Sequence, residues 1–325
     1  MTVYATTVIR GAEVQDSGHL YKIDWATKSV VEQVPVPAPF HLDSGARGGR
    51  RGGRGICRVG GRLAVANYDS ILLYDEDLNL LDRLTNNLFC GLHEIAASDE
   101  GIWASSTGVE GVLLVDPDSG DVLRSHFVTE IDAFVDGGLG ISRKRVERDR
   151  DYRGFNYSRK DMDTHLNCVQ VAEDGSVHAL LSNLGLFVQV EPEPEVVVRD
   201  AGLENPHNIE FHGGRILTND TSHQAVKAYG RDSRALELCV DLNEIGLDIK
   251  KEGARLKGLL KISVPGWLRG MDVLGEDRLL LGVSPSTVVE LDLAAERIGG
   301  RVQLSDDLNN SIHGLMAWAD APAPA

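Results

Sequence analysis

The sequence predicts an all-β fold that is built from repeats of one small unit, and three observations support this prediction. At six places along the chain of 325 residues, a polar residue stands two positions before an apolar one. A short turn with Gly or Asp and a second apolar run follow most of these places, as expected for short antiparallel strands. Runs at the two ends of the chain complete one unit between them. Such repeats indicate a six-bladed β-propeller, in which blades surround a central channel.

Each of the six motifs is predicted to open the innermost strand of one blade. The motifs are Arg54-Gly55-Ile56, His93-Glu94-Ile95, Asn167-Cys168-Val169, His207-Asn208-Ile209, Arg269-Gly270-Met271 and His313-Gly314-Leu315. The innermost strands that follow from them are Gly55–Val59, Leu92–Ala96, Leu166–Val171, His207–Phe211, Arg269–Leu274 and His313–Trp318. Because innermost strands surround the channel, the first polar residue of each motif is expected near the axis.

The last of these blades is predicted to close the ring. Only its innermost strand, His313–Trp318, lies at the C-terminus. Its partners are expected at the N-terminus, as Tyr4–Ile9, Leu20–Trp25 and Val30–Val34. Pairing of the two chain ends removes the exposed strand edges that would otherwise favour aggregation. One domain is therefore predicted for residues 1–319, followed by a loose tail at 320–325.

Three connections are longer than tight turns and are predicted to be insertions, at about 35–54, 129–164 and 243–267. Each joins the outer strand of one blade to the inner strand of the next. In an up-and-down blade, these connections lie on the face where the innermost strand begins. The insertions and the polar ring are thus expected on one face, where long loops could cover a pocket.

Bulk composition restricts the partners that this chain can have. The formal net charge is −16 and the sequence pI is about 5.0, which argues against duplex nucleic acid or an anionic membrane as a partner. The four cysteines form no CxxC pair, and the N-terminus lacks the basic and apolar segments of a signal peptide. A cytoplasmic protein is expected, with no prediction of its oligomeric state.

Histidines are the first candidates for chemistry. His93, His207 and His313 occupy equivalent places in alternate blades, and His165 precedes the motif of the blade between two of them. Converging neutral imidazoles can bind a divalent metal ion, whose identity the sequence does not give, or can act as general bases. We therefore predict His93, His207 and His313 as catalytic residues and all four as metal ligands. The structural alternative is that each caps its own strand.

Arginines in the same ring are the second group of candidates. Arg54 and Arg269 would be partly desolvated, and a buried guanidinium needs an anion. One interpretation is that they bind the carboxylate or phosphate of a substrate. The alternative is a salt bridge to an acid such as Asp69, Asp220 or Asp272.

Further substrate-binding candidates follow from position. Asn167 belongs to the polar ring, Tyr68 lies in a loop on the same face, and Tyr157 belongs to the second insertion, ahead of His165. The tyrosines could also donate protons.

Other segments of the insertions are predicted to be mainly structural. The arginine-glycine segment 45–55 could be a flexible loop, an anion-binding lid or an RNA-binding element. Residues 141–153 alternate in charge and are interpreted as a solvated segment. Residues 242–260 are predicted to form one or two short helices.

The chain resembles a known superfamily of propellers. The segment Asn205-Pro206-His207-Asn208-Ile209 is similar to the blade pattern of six-bladed propellers of the NHL, gluconolactonase and virginiamycin-lyase-like type. The resemblance implies the fold, and enzymes and binding modules both occur on it. Gluconolactonase-type sites use carboxylate and Asn ligands, so their activity does not transfer to this chain. The histidines look more like those of lyase-type propellers.

Together these patterns favour an enzyme with a central histidine site, with or without a metal ion, that acts on a small anionic substrate. A lyase, hydrolase or isomerase reaction would suit such a site. The first alternative is a non-catalytic propeller that binds a ligand or a protein through its loops. The second is polyanion binding by Arg47, Arg50 and Arg51.

Overall fold

The computed structural model describes residues 1–41, 52–247, 267–307 and 309–318. These residues form six sheets of four antiparallel strands each, and the sheets are the blades of a six-bladed β-propeller. The predicted fold class is confirmed. Within the described residues, no helix is long and apolar enough to cross a membrane.

The strands of each blade run in sequence from the axis outward, except in the blade that closes the ring. Blade 1 contains β4 (Ile56–Val59), β5 (Arg62–Ala66), β6 (Ile71–Tyr74) and β7 (Leu80–Leu84). Blade 2 contains β8 (Leu92–Ser98), β9 (Gly101–Ser106), β10 (Gly111–Val115) and β11 (Val122–Phe127). Blade 3 contains β12 (Leu166–Val171), β13 (Val177–Leu181), β14 (Leu186–Glu191) and β15 (Glu195–Arg199).

Blades 4 and 5 have the same arrangement. Blade 4 contains β16 (Pro206–His212), β17 (Arg215–Asp220), β18 (Ala225–Gly230) and β19 (Leu236–Asp241). Blade 5 contains β20 (Leu268–Gly275), β21 (Arg278–Val283), β22 (Thr287–Asp292) and β23 (Arg297–Gln303). Blade 6 contains β24 (Asn310–Trp318), β1 (Thr2–Ile9), β2 (His19–Asp24) and β3 (Ser29–Pro35). Among the described residues, the helical elements are short: 3₁₀ turns at Val14–Asp16, Thr107–Val109 and Arg159–Asp161, and α1 (Asp132–Val135).

Blade 6 closes the ring as the sequence predicts. Strand β1 pairs with β24 from Thr2, opposite Trp318, to Ile9, opposite Asn310. The other side of β1 pairs with β2. The N-terminal strand thus lies between the C-terminal strand and the rest of its blade, and neither edge of it is open.

The core consists of apolar layers between neighbouring blades, and one cluster of buried side chains fills each of the six interfaces. Strand β5 shows how the sequence builds two layers at once. Leu63 and Val65 pack toward blade 6, whereas Ala64 and Ala66 pack toward blade 2. Because successive side chains of a strand alternate between faces, a strand that is buried on both sides must be apolar throughout.

Backbone irregularity recurs where the polar motifs stand. In five of the six innermost strands, an extra residue interrupts the pairing at the motif. In blade 2, for example, Leu92 pairs with Ser106 and Ile95 with Ala104, so two residues of β8 oppose one residue of β9. This is a β-bulge, which re-aims the side chains at that point.

The insertion between β11 and β12 covers the face where the innermost strands begin. Its central part is held by Asn87, whose side chain donates hydrogen bonds to the carbonyls of Arg148 at 2.6 Å and Arg150 at 3.0 Å. Within the alternating-charge segment, the charged residues are mostly exposed, while Ile141 and Val146 are buried. Most of segment 45–55, including Arg47, Arg50 and Arg51, and most of segment 242–260 lie outside the described residues.

Candidate functional site

Four imidazoles meet at the axis, on the face that the insertion covers. The ring of His93 lies 4.5 Å from that of His313, 5.6 Å from that of His207 and 6.3 Å from that of His165, between centroids. The histidines of blades 2, 4 and 6 are therefore brought together by the circular arrangement of the blades, and His165 joins them from the end of the insertion.

The tautomer of His207 follows from its neighbours. Its Nδ1 lies 2.8 Å from the carbonyl oxygen of Asn205 and 2.9 Å from Oγ1 of Thr221. Thr221 donates its own proton to the carbonyl of Leu268, at 2.7 Å, so Nδ1 of His207 must be the donor in both contacts. The lone pair of His207 is then on Nε2, which is buried and has no hydrogen-bond partner among the described residues.

The other imidazoles also have nitrogen atoms without partners. Nδ1 of His93, of His165 and of His313 is buried and forms no hydrogen bond within the described part of the chain. Buried polar atoms are normally paired, and groups that are not often indicate a functional site. Burial, together with nearby cations, holds the pKa of His93, His207 and His313 well below its usual range and lowers that of His165 to about 3. All four are thus neutral at physiological pH, which is the state that binds metals and accepts protons.

Glu94 joins this cluster, although the sequence predicts no role for it. Its Oε1 lies 3.4 Å from Nδ1 of His313 and 3.9 Å from Nδ1 of His93. Burial raises the pKa of Glu94 to about 8, while Arg269 and Arg54 act in the opposite direction. The signal that could have found it is its place beside His93 in a strand with a bulge.

His93, Glu94 and His313 fit a divalent metal ion. One ligand atom from each lies within 4.8 Å of the others, a spacing from which the three side chains could approach one shared ion. Two imidazoles and a carboxylate suit zinc, iron or manganese. His207 and His165, the other two predicted ligands, lie beside this trio. The sequence predicts four histidines as ligands, and the geometry adds the carboxylate oxygen of Glu94 to the candidate donors.

The two predicted arginines flank the imidazoles. Arg54 is buried and donates from Nη1 to the carbonyl of Leu92 at 2.8 Å. The guanidinium of Arg269 stacks on the ring of Trp267, 3.7 Å from its centroid. Burial lowers the pKa of Arg269 well below its usual range, and the positive charges of Arg10 and Arg54 add to this effect. Positive charge therefore surrounds the histidines.

The structural alternative for these arginines is a salt bridge to Asp69, Asp220 or Asp272, and these three acids have other partners. Asp69 contacts His41 and Arg83, and Asp220 contacts Lys227. Asp272 accepts from backbone N–H groups, including that of Val273 at 2.7 Å. Among the described residues, no carboxylate oxygen lies within 4.0 Å of Arg269, and the buried Nε of Arg269 has no hydrogen-bond partner. An anion that pairs with Arg269 must therefore come from outside the described residues.

Two arginines that sequence reasoning missed reinforce this charge. Arg10 also lies over the ring of Trp267, 4.6 Å from its centroid. Arg159 donates from Nε to Asn183 at 2.7 Å and contributes to the low pKa of His165. Both come from loops outside the repeated motif, so the repeat gave no signal for them.

The remaining predicted residues line the covering side of the site. The ring of Tyr157 lies 6.5 Å from that of His165 and stacks on that of Tyr68 at 6.2 Å. Burial raises the pKa of Tyr157, and the nearby guanidinium of Arg54 opposes this rise. Tyr68 donates its hydroxyl proton to the carbonyl of Phe155 at 2.6 Å.

Asn167 is fully buried at the same level of the ring. Its Nδ2 donates to the carbonyl of Pro206 in the next blade at 2.9 Å, and its Oδ1 has no hydrogen-bond partner among the described residues.

Beyond Glu94, the channel continues as a cavity of about 260 Å³ toward the opposite face. Glu210 and Asp272 line it with Glu94. Burial raises the pKa of Asp272 to about 6 and that of Glu210 well above its usual range. The axis is therefore cationic at the histidine end and acidic at the other, with Glu94 between them.

Comparison with known proteins supports the fold and goes no further. No protein-family model and no curated protein matches this chain. A protein of unknown function from Bacteroides caccae is similar in structure, with a TM-score of 0.60, 11% identity and 97% of each chain covered. So is a chain of a nidogen–laminin complex, with a TM-score of 0.61, 8% identity and coverage of 96% and 97%. The virginiamycin B lyase from Staphylococcus aureus gives a TM-score of 0.49 at 10% identity, covering 86% and 78%. The resemblance to six-bladed propellers is thus confirmed for the fold, and identities this low show nothing else.

Proposed function

We propose that this protein is an enzyme that acts on a small anionic substrate at the axial histidine cluster. One observation carries the proposal: neutral imidazoles with unpartnered, buried nitrogens converge beside arginine side chains, one of which has no carboxylate partner among the described residues. Such a combination is costly to bury without a ligand and is typical of a binding or catalytic centre.

The proposed roles follow from the contacts. His93, Glu94 and His313 would hold the divalent metal ion, which when bound supplies a Lewis acid for a carbonyl, a phosphoryl group or water. Arg269 has no carboxylate partner among the described residues, and Arg54 flanks the same imidazoles. Arg54 and Arg269 would therefore bind the carboxylate or phosphate of the substrate, and a neutral substrate would leave Arg269 without an anion from the described residues.

His207 is the proposed general base. The carbonyl of Asn205 and the hydroxyl of Thr221 fix its Nδ1 as the donor, so Nε2 can accept a proton from the substrate or from water. A base of this kind beside an anion-binding site suits elimination, hydrolysis or isomerisation of a small acid. Tyr157 would hold the guanidinium of Arg54 in place from the covering insertion.

A direct test begins with the metal. Elemental analysis of the purified full chain is expected to give a divalent ion, and chelator-treated protein should bind Zn²⁺ or Mn²⁺ in isothermal titration. His93→Ala and His313→Ala should lower this affinity by at least about 100-fold. His212→Ala, at the far end of β16, is the matched control and should bind as the native protein does.

Anion binding and turnover complete the test. Malonate and phosphate should bind to the native protein. Arg269→Gln should lower the affinity for both anions about tenfold or more, whereas Arg278→Gln on the blade surface should leave it unchanged. In a screen of small acids for elimination, hydrolysis and isomerisation, His207→Gln should abolish any turnover found. If no metal and no anion binds, and each histidine can become Ala without loss of any measured property, the protein is a non-catalytic propeller and the proposal fails.

A further inference from the structure

A second cavity, separate from the axial channel, lies between the long insertion and blade 2. Its volume is about 320 Å³, which is within the range of pockets that hold small molecules. Most of its wall is apolar or aromatic, and the residues concerned are Val109, Val146, Tyr152, Phe155, Tyr157 and Met162. Aromatic walls of this kind favour an aromatic or branched apolar group inside.

The polar groups at the back of this cavity are already satisfied. Oε1 of Glu110 accepts hydrogen bonds from the backbone N–H of Thr164 at 2.9 Å and from its hydroxyl at 2.6 Å. Oε2 of Glu110 lies 3.5 Å from Nζ of Lys144, which also pairs with Asp163 at 3.2 Å. These contacts join the middle and the C-terminal end of the insertion to the turn after β9, so the chain itself holds this wall of the cavity in place.

At the rim of the cavity, by contrast, side chains are exposed to solvent. Phe155 is 43% exposed, although it is a large aromatic residue beside an apolar pocket. Arg145 and Asp161 are also exposed at the rim. Neither has an ion-pair partner within the described part of the chain, and they do not pair with each other. An apolar interior with an exposed cation and an exposed anion at its mouth complements a zwitterion.

We propose that this cavity binds a small zwitterion of the amino-acid type with an aromatic or branched side chain. The side chain occupies the space between Val109, Val146 and the aromatic residues. The carboxylate of the ligand contacts Arg145, and its ammonium group contacts Asp161. This inference does not rest on the proposed enzyme activity, because it uses neither the histidines nor the axial arginines; Tyr157 is the one residue that lines both sites among those named here.

The test uses L-tryptophan as the probe, with two analogues that each lack one charge. Indole-3-propionate has no ammonium group, and tryptamine has no carboxylate. L-Tryptophan should bind the full-length protein saturably in isothermal titration. Arg145→Gln should weaken the binding of L-tryptophan and of indole-3-propionate about two- to fivefold and leave the binding of tryptamine unchanged. Asp161→Asn should weaken the binding of L-tryptophan and of tryptamine by a similar factor and leave the binding of indole-3-propionate unchanged.

Filling the cavity gives an independent result. Val146→Phe places a larger side chain in the pocket and should abolish binding, whereas Val31→Phe on an exposed outer strand should leave it intact. The charge variants change exposed residues, so their results remain informative if Val146→Phe does not fold. Absence of saturable binding at millimolar concentration, or binding that is lost in Arg54→Gln but kept in Val146→Phe, would overturn the proposal.

Discussion

Glu94 and His93 are consecutive in the chain, yet their side chains belong to the same cluster, with Oε1 of Glu94 3.9 Å from Nδ1 of His93. In a regular strand, neighbouring side chains point to opposite faces. Here the two residues together oppose the single position Ser105, between the pairs Leu92–Ser106 and Ile95–Ala104. The bulge therefore builds the donor set, because it allows one strand to supply an imidazole and a carboxylate to the axis.

A first prediction concerns this carboxylate. Glu94→Gln removes a charge but keeps the shape, so it should lower the affinity of chelator-treated protein for Zn²⁺ by more than about 100-fold, since loss of mere supporting contacts already costs about 10–100-fold. Glu210→Gln is the matched control, because Glu210 lines the same channel outside the trio. Equal affinities for the two variants, measured by isothermal titration, would show that Glu94 is not a ligand.

The fold could be predicted from the sequence because its causes are local and repeated. Strands that are buried on both faces are apolar throughout, and their ends carry turn residues, so the blade unit can be read directly. Ring closure was predictable for the same reason, since β24 lacks partners at the C-terminus and β1 to β3 lack an innermost strand at the N-terminus.

The site was only partly predictable, for reasons that concern geometry. The histidines share one place in the repeat, so circular symmetry brings them together. Glu94 needed the bulge, which depends on the pairing register and leaves no mark in the pattern of apolar residues. Arg10 and Arg159 reach the site from loops, where position depends on long-range packing. The interpretation of residues 141–153 as a solvated segment missed that Val146 is a wall of the second cavity.

A second prediction tests the packing of the insertion, through Tyr157, against Gly91. Gly91 has a φ of +63°, and a Cβ there would lie 2.3 Å from the hydroxyl oxygen of Tyr157. Gly91→Ala should therefore lower the free energy of unfolding by about 1–2 kcal/mol for the left-handed backbone and by about 1–3 kcal/mol more for the displaced ring. Gly138→Ala is the control, because Gly138 has a φ of +69° and nothing within 4 Å of such a Cβ. Urea denaturation should give the larger loss for Gly91→Ala, and similar losses would contradict this seating.

A third prediction concerns Thr6, which links the closing blade to the site. Its fully buried hydroxyl donates to the carbonyl of Arg54 and accepts from the backbone N–H of Gly314 at 2.9 Å. Thr6→Val leaves both backbone groups without a partner and should cost about 1–3 kcal/mol in unfolding free energy. Thr6→Ser keeps the hydroxyl and should cost less. If the two variants are equally stable in denaturant titrations, these hydrogen bonds contribute nothing.

The last prediction is the pH dependence of stability that arises from His178, away from the axis. Ser176 donates to Asp174 at 2.6 Å and therefore accepts from Nε2 of His178 at 2.9 Å, which leaves Nδ1 unprotonated and buried. Burial lowers the pKa of His178 to about 4, with Arg231 acting in the same direction and Asp174 and Glu195 opposing it. The ring also packs against Phe211, 4.7 Å between centroids.

The sign of the effect follows from where the proton binds. Between pH of about 6.5 and about 4, the unfolded chain takes up a proton at His178 and the folded protein does not, so stability falls as the pH falls. The loss reaches at most about 3 kcal/mol near pH 4, below which both states are protonated. His178→Gln removes this contribution, so the difference in unfolding free energy between the native protein and the variant should shrink from pH 7 to pH 4. A difference that stays constant over this range, or an NMR titration of His178 with a midpoint near 6.5, would show that the folded protein accepts this proton as readily as the unfolded chain.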